Sequence, residues 1–327
     1  MLKILPKLGF RIFSSLITIL IIISLVFIAL QLSPGNASYK YLSPELNSEA
    51  LQKIVENFKT ESNIWEKYTA FIYNIFNWDF GYSLNYKEPV FDVIKPKLIF
   101  TIFFTLIAFS FPLIVSFLLA YRSVKKPFGW FDKTIKSVTL VSYSTPPFVS
   151  GLFLIYLFSY LLNIFPISGA YSLNYDELSF VGKFIDLTKH MILPILVFSL
   201  VEIPIYYNYL RESLKNIVSS TFVLYLKSIG TNEKILFWKH ILPNTLNTVI
   251  AIAGVEIGVM LGGSLIIEVV FGLPGMGRLI VSAISTNDFP LVIGCCLIAS
   301  AIVILAGFLS DLLRIFIDRR LEGGLLN

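Results

Sequence analysis

"KSIGTNEKILFWKHILPN", residues 227–244, decides how the rest of the chain is read. It carries four charges and a histidine within fourteen residues, yet it lies between two long apolar runs. The whole chain of 327 residues is 56% hydrophobic with 14% charged residues, whereas soluble domains carry about 25% charge. Such a composition belongs in a lipid bilayer, so the polar stretch marks a place where the chain leaves the hydrocarbon. Ahead of Gly230, the residues Phe222, Tyr225, Leu226 and Ile229 recur at i, i+3, i+4 and i+7, one face of a helix. Ser219, Ser220 or Thr221 is placed to cap its start. Gly230 is the natural stop, because the residue after a helix often needs a left-handed φ. Thr231 or Asn232 then caps a second helix, with Glu233 in its first turn where the dipole favours an acid. Ile235, Trp238 and Leu242 give that helix an apolar face, and Pro243 marks its exit toward the membrane. Residues 212–243 therefore read as two short amphipathic helices joined at a glycine elbow. Two uses remain open on these residues alone: a loop lying on lipid headgroups, or a knob that docks in a partner's groove.

Outward from the elbow, six segments are apolar and long enough to span a bilayer as helices: about 10–32, 98–120, 138–162, 191–210, 244–267 and 291–313. The first follows Lys3, Lys7 and Arg11 but is too long for a typical signal peptide, and is expected to be a retained helix. Residues 121–137 hold five bases against Asp132 alone, and 211–243 hold five against Glu212 and Glu233. The external side is poorer in bases: 163–190 has two lysines against three acids, and 268–290 has only Arg278. The positive-inside rule then puts both termini, 121–137 and 211–243 in the cytoplasm. The net charge of +5 is thus a topology signal and not a nucleic-acid patch. The loop 33–97 holds seven lysines, but it is long, and long loops cross largely regardless of charge. It is expected to be a small folded external subdomain, amphipathic near 46–59 and aromatic over Tyr68–Trp78. The expected fold is an all-α membrane protein: residues 1–32 with the first helix, 33–97 outside, and a core of five helices over 98–327.

Several features are decoys. "GLPGMGRL", 272–279, mimics a phosphate-binding loop but has Arg278 and Leu279 where lysine and Ser/Thr are required. Cys295 and Cys296 are adjacent inside an apolar run, a poor disulfide pair and no zinc pattern. His190 and His240 sit at opposite ends of spans and cannot share a metal. No metalloprotease or nucleophile-elbow motif occurs, so no enzyme is expected. Glu202 and Glu256 lie inside spans, where ionised groups are expensive; they either line a polar path or are carboxyls bonded between helices. Pro146 and Pro147 either kink the third span at a cavity or simply pack.

The order of these elements resembles a known family. Gly230 followed by Leu242-Pro243 is similar to the cytoplasmic "EAA" loop of ABC-transporter permease subunits. "WDFGYS" (78–83), "YSTPPFVSGLFLIYLFS" (143–159), "FPISG" (165–169) and "HMILPILVFSL" (190–200) resemble successive elements of the peptide-importer (Opp/Dpp-type) subfamily. "GSLIIEVVFGLPGMGRLIVSAISTNDFPLV" (263–292) is close to its signature, carried here by Glu268, Phe271, Pro274, Gly275, Gly277 and Asp288. The Glu-Ala-Ala triplet is Leu224-Tyr225-Leu226 in this chain, a departure at the segment that seats on the ATPase. The resemblance implies one permease subunit of an ATP-driven importer in the bacterial cytoplasmic (inner) membrane. It implies a sister permease, two ATP-binding subunits that hold ATP and magnesium, and an external substrate-binding protein. This chain would bind no cofactor. The coupling surface would be 222–242, the external signature 268–290, and the cargo a peptide, with nickel chelates or sugars as alternatives. A gradient-driven secondary transporter is the main rival; it would favour internal repeats and paired intramembrane charges, and neither is visible.

Overall fold

Helices dominate the computed structural model of this protein, which describes residues 5–32 and 63–317. Among the described residues there is no strand, only one isolated antiparallel bridge between Tyr82 and Pro89. All six apolar segments are helical: α1 (Leu5–Leu32), α3 (Val90–Lys125), α4 (Trp130–Ser144) with α5 (Pro147–Leu154), α6 (Phe180–Val218), α9 (Leu242–Val270) and α11 (Phe289–Ile317). Between them lie α2 (Ile64–Phe76), α7 (Thr221–Ser228), the single turn α8 (Glu233–Ile235) and α10 (Met276–Ser285). Among the described residues α3, α6 and α11 are each long and apolar enough to cross a membrane, and α4 with α5 makes a fourth if the pair is one span. The expected amphipathic segment 46–59 lies outside the described residues, as do Lys3, Arg319 and Arg320.

Two expectations are corrected. The third segment, 138–162, is not one continuous helix: α4 and the arm Pro147–Leu161, which is α5 continued by π-helical turns at Ile155–Leu161, are bent by 98° at the break between them. The cause is the Pro146-Pro147 pair. Thr145 is extended (φ −95°, ψ 121°) and Pro146 follows at ψ 137°, because a proline pushes its predecessor out of the α region. Pro147 then opens α5, where a missing N–H does no harm. The fourth segment is longer than 191–210, since α6 runs 39 residues from a cap at Ser179, whose hydroxyl accepts the Gly182 N–H at 3.2 Å. At 1.5 Å per residue that is roughly 58 Å, against about 30 Å of hydrocarbon, so hydropathy found only its middle.

Contacts divide the chain into two units, each built from two stretches of sequence: Met1–Thr101 with Gly275–Leu305, and Ile102–Pro274 with Ala306–Asn327. In the first unit α2 rests on α1. Tyr68 shares a 2.6 Å hydroxyl contact with Ser24, and its ring meets Phe27 edge-on at 5.2 Å. A core of Val90, Ile94, Met276, Leu279, Leu291 and Cys295 joins the start of α3 to α10 and α11. The Cys295 thiol is therefore a packing group, buried and free.

Asp288 closes this unit. Fully buried, it caps α11 through the Leu291 N–H at 3.3 Å and accepts the Ser83 hydroxyl at 2.5 Å and the Asn85 N–H at 3.1 Å. Two motifs separated by some 200 residues of chain thus meet at one carboxylate. Asp288→Ala should cost about 1–3 kcal/mol by leaving buried donors unpaired. The check is limited proteolysis, which should cut faster within 78–88.

In the second unit α6 is the spine. It packs against α4, α5 and α9, and α5 packs on α9. Val197, Tyr206, Tyr207, Leu210 and Leu214 of α6 are all fully buried.

Candidate coupling elbow and the acids of the bundle

Gly230 adopts φ +79°, the left-handed conformation that glycine enters without a Cβ penalty. It closes α7 in a paired-bond cap: the Gly230 N–H reaches the Lys227 carbonyl at 3.0 Å and the Thr231 N–H reaches Leu226 at 3.1 Å. The next arm starts at Asn232, whose side chain accepts the Lys234 N–H at 2.8 Å, with Glu233 in the first turn as expected. Of the candidate caps before α7, Ser220 occupies the cap position but turns its hydroxyl back to Ile217. Gly230→Ala should cost about 1–2 kcal/mol through the left-handed φ. Hydrogen exchange at the Thr231 amide reads it, with an expected loss of protection of about tenfold.

The second arm differs from a short separate helix. From Glu233 the chain passes through π-helical turns at Leu236–Ile241 straight into α9 at Leu242. Pro243 therefore stands inside a continuing helical path and does not end one. Proline lacks the N–H and its ring crowds the carbonyl four residues back; the wider π register just before it absorbs both faults.

The elbow is seated by one side and bare on the other. Val223, Leu236 and Ile241 are buried. Phe237 packs on Tyr121 of α3 at 4.5 Å between ring centroids and on Phe117 at 6.1 Å. Lys125 lies over the Tyr121 ring and 3.8 Å from Glu233. The residues chosen from sequence for docking fall on the other side: Phe222, Tyr225, Ile229, Ile235 and Trp238 are exposed, Trp238 by 65%. Leu226, Thr231 and Leu242 are half-buried, while Glu233 and Pro243 are exposed.

At the root of the elbow stands a cluster the sequence did not single out. Arg211 holds Asp132 bidentately, Nε to Oδ1 at 2.7 Å and Nη2 to Oδ2 at 2.8 Å. The Tyr207 hydroxyl donates to Asp132 Oδ1 at 3.1 Å and sits 3.0 Å from Ser123 Oγ, and the Phe128 N–H donates to Oδ2 at 3.1 Å. The Arg211 hydrogen bonds, followed by that of Phe128, hold the Asp132 carboxyl down at about 2, against 3.8 ordinarily. The available signal was that Asp132 is the lone acid of a basic segment.

Glu202 is buried in α6 and Glu256, half-buried in α9, is its electrostatic neighbour. Pro146 is exposed and Pro147 half-buried at the α4–α5 break. The signature residues divide between the units. Glu268 and Phe271 are buried and Pro274 half-buried in the second, while Gly275, Gly277 and Asp288 are buried in the first.

Over residues 112–323 the chain matches the family described as "binding-protein-dependent transport system inner membrane component". It is 27% identical to the dipeptide transport system permease protein DppB of Alkalihalophilus pseudofirmus, over 94% of this chain and 96% of that one. It is 26% identical to the oligopeptide transport system permease protein AppB of Bacillus subtilis, over 91% and 93%. The DppB of Escherichia coli is also 26% identical, with the same coverage. A multi-pass set of apolar helices, a capped elbow between two of them and a family match over most of the helical core lead to one assignment: this chain belongs to the binding-protein-dependent transport system inner membrane components.

Proposed function

We propose that the chain is one permease subunit of an ATP-driven importer of peptides, with six spans, both termini in the cytoplasm, and residues 222–242 as the contact to the ATPase. The observation that carries this is the elbow. It is rigidly capped, anchored to α3 through Phe237, and leaves a contiguous apolar and aromatic face uncovered at a polar, charged segment. An aromatic face held by a stiff back is what a load-transmitting knob needs, and a loop resting on headgroups has no use for the anchor. The relatives named for dipeptide and oligopeptide transport favour peptide as cargo. The partners are a second, sister permease, two ATP-binding subunits that carry ATP and magnesium, and an external binding protein that meets 33–97 and 268–290. This chain contributes no ATPase site of its own. Closure of the ATPase dimer pushes on the elbow, and the bundle turns from inward-open to outward-open.

The test is purification of the tagged chain in mild detergent with its companions identified by mass spectrometry, beside Trp238→Glu and Gly230→Pro. ATPase subunits should accompany the wild type and be reduced at least tenfold with either variant. A chain that carries peptide without them, driven by an ion gradient, would overturn the proposal.

A further inference from the structure

The turn between α3 and α4 gathers cations. Residues 121–137 hold Arg122, Lys125, Lys126, Lys133 and Lys136 against Asp132 alone. Two of these bases have acids beside them: Lys125 lies 3.8 Å from Glu233, and Lys136 lies 3.7 Å from Asp132. Arg122, Lys126 and Lys133 have no acid partner among the described residues. Asp132 does not offset them, because Arg211 of α6 already holds it. The backbone brings the three together. The Gly129 N–H donates to the Lys126 carbonyl at 3.2 Å, and the Gly129 carbonyl accepts the Lys133 N–H at 3.0 Å. The Arg122 guanidinium lies over the Phe131 ring, 4.9 Å from its centre.

Two aromatic side chains stand in the open among these charges. Trp130 is 81% exposed and Phe128 74%. Phe128 adopts φ +62°, which is rare for a bulky residue, and its N–H is tied to Asp132 Oδ2. Its ring is therefore held outward by the turn. The same face continues along α4. This helix packs on α6 and buries Asp132 and Thr139. On its other side Trp130, Lys133, Ser137, Leu140 and Val141 are exposed, at spacings that make one helical stripe. The stripe begins with a ring and a cation and ends in aliphatic side chains, where the third apolar segment begins. That order matches a bilayer leaflet, headgroups first and hydrocarbon after. Tryptophan gathers at this boundary, and juxtamembrane clusters of Lys and Arg attract anionic lipid.

We propose that Arg122, Lys126 and Lys133, with Phe128 and Trp130 between them, seat the headgroup of an anionic phospholipid in the cytoplasmic leaflet; the proposal rests on the cytoplasmic placement of 121–137 in the six-span reading above. The cations meet the phosphate through charge-assisted bonds, which are the strong ones. The rings lie at the boundary below it. Because Lys125 of the same turn reaches Glu233, a lipid held here steadies the turn on which the elbow leans.

The experiment places the photo-crosslinker p-benzoylphenylalanine at position 130. The tagged chain, purified with its companions, is reconstituted in vesicles of three parts phosphatidylcholine to one part phosphatidylglycerol and irradiated. Mass spectrometry then identifies the adduct. Phosphatidylglycerol should be captured at least threefold above its share of the vesicle. Lys126→Gln with Lys133→Gln should bring capture back to that share, and so should high salt, which screens exposed charges. Capture in the vesicle ratio by the unsubstituted lysines would overturn the seat. So would an adduct to another subunit, which would assign this face to a protein partner, and so would the absence of any adduct, which would leave it in water. The placement is tested separately with Lys126→Cys. Labelling of that variant in intact cells by a membrane-impermeant maleimide would overturn the topology, whatever lipid is captured in vesicles.

Discussion

Asp132→Ala is expected to destabilise the chain by about 3–5 kcal/mol, because removal of one partner leaves a buried charge uncompensated. Asp132 is 1% exposed and the Arg211 side chain 11%, so solvent screens the pair little. The same change strips acceptors from the Phe128 N–H and the Tyr207 hydroxyl. Thermal unfolding of the detergent-solubilised chain measures the loss. The double variant Asp132→Leu, Arg211→Met should recover most of it, since an apolar replacement of both partners is often close to neutral. A double variant as unstable as the single would point to lost hydrogen bonds and not to the bare charge. The sign with pH follows from the depressed carboxyl. Its stabilisation is fully present above the unfolded value near 3.8 and drains as pH falls through about 2. Between pH 5 and 8 this pair should contribute no slope. Arg211 begins the segment that forms the elbow, so loosening this root should also lower uptake more than the expression level.

Gly294→Val is the second large effect. A Cβ at Gly294 would stand 2.4 Å from Val90 Cγ1 and 3.2 Å from Ile94 Cδ1. That contact joins α11 to the start of α3 in a core of fully buried side chains. Overpacking a tight core costs about 1–3 kcal/mol, and more where backbone must shift; here Val90 itself is 0% exposed and has nowhere to go. The expected result is aggregation on extraction, read as loss of the monodisperse peak in gel filtration. Gly307→Ala, on the same helix with nothing within 4 Å of its would-be Cβ, should instead gain up to about 1 kcal/mol from helix propensity. Opposite signs at two glycines of one helix would tie the first effect to close approach and not to composition.

The elements legible in sequence were those with a local cause. Apolar runs long enough for hydrocarbon located the helical stretches, although among the described residues only α3, α6 and α11 are each long and apolar enough to cross a membrane unbroken, and the left-handed preference of glycine placed the stop at Gly230. The amide of Asn232 and the acid of Glu233 placed the second arm. The bend at Pro146-Pro147 was visible as a proline effect but not as an angle of 98°, because the direction taken after a break depends on what α5 packs against. The same holds for α9: Pro243 looked like an exit until the π turns ahead of it supplied a compensation that no residue type announces.

The sequence by itself determined that this chain lives in a membrane, where its helices run, and that a capped elbow interrupts them, since burial in lipid and backbone capping are properties of short stretches. Only the tertiary structure decided that Asp132 finds Arg211 and that Ser83 finds Asp288. Each of those pairings joins residues tens to hundreds of positions apart, and their partners are chosen by helix register and crossing, which depend on side-chain packing across the bundle and not on any local pattern.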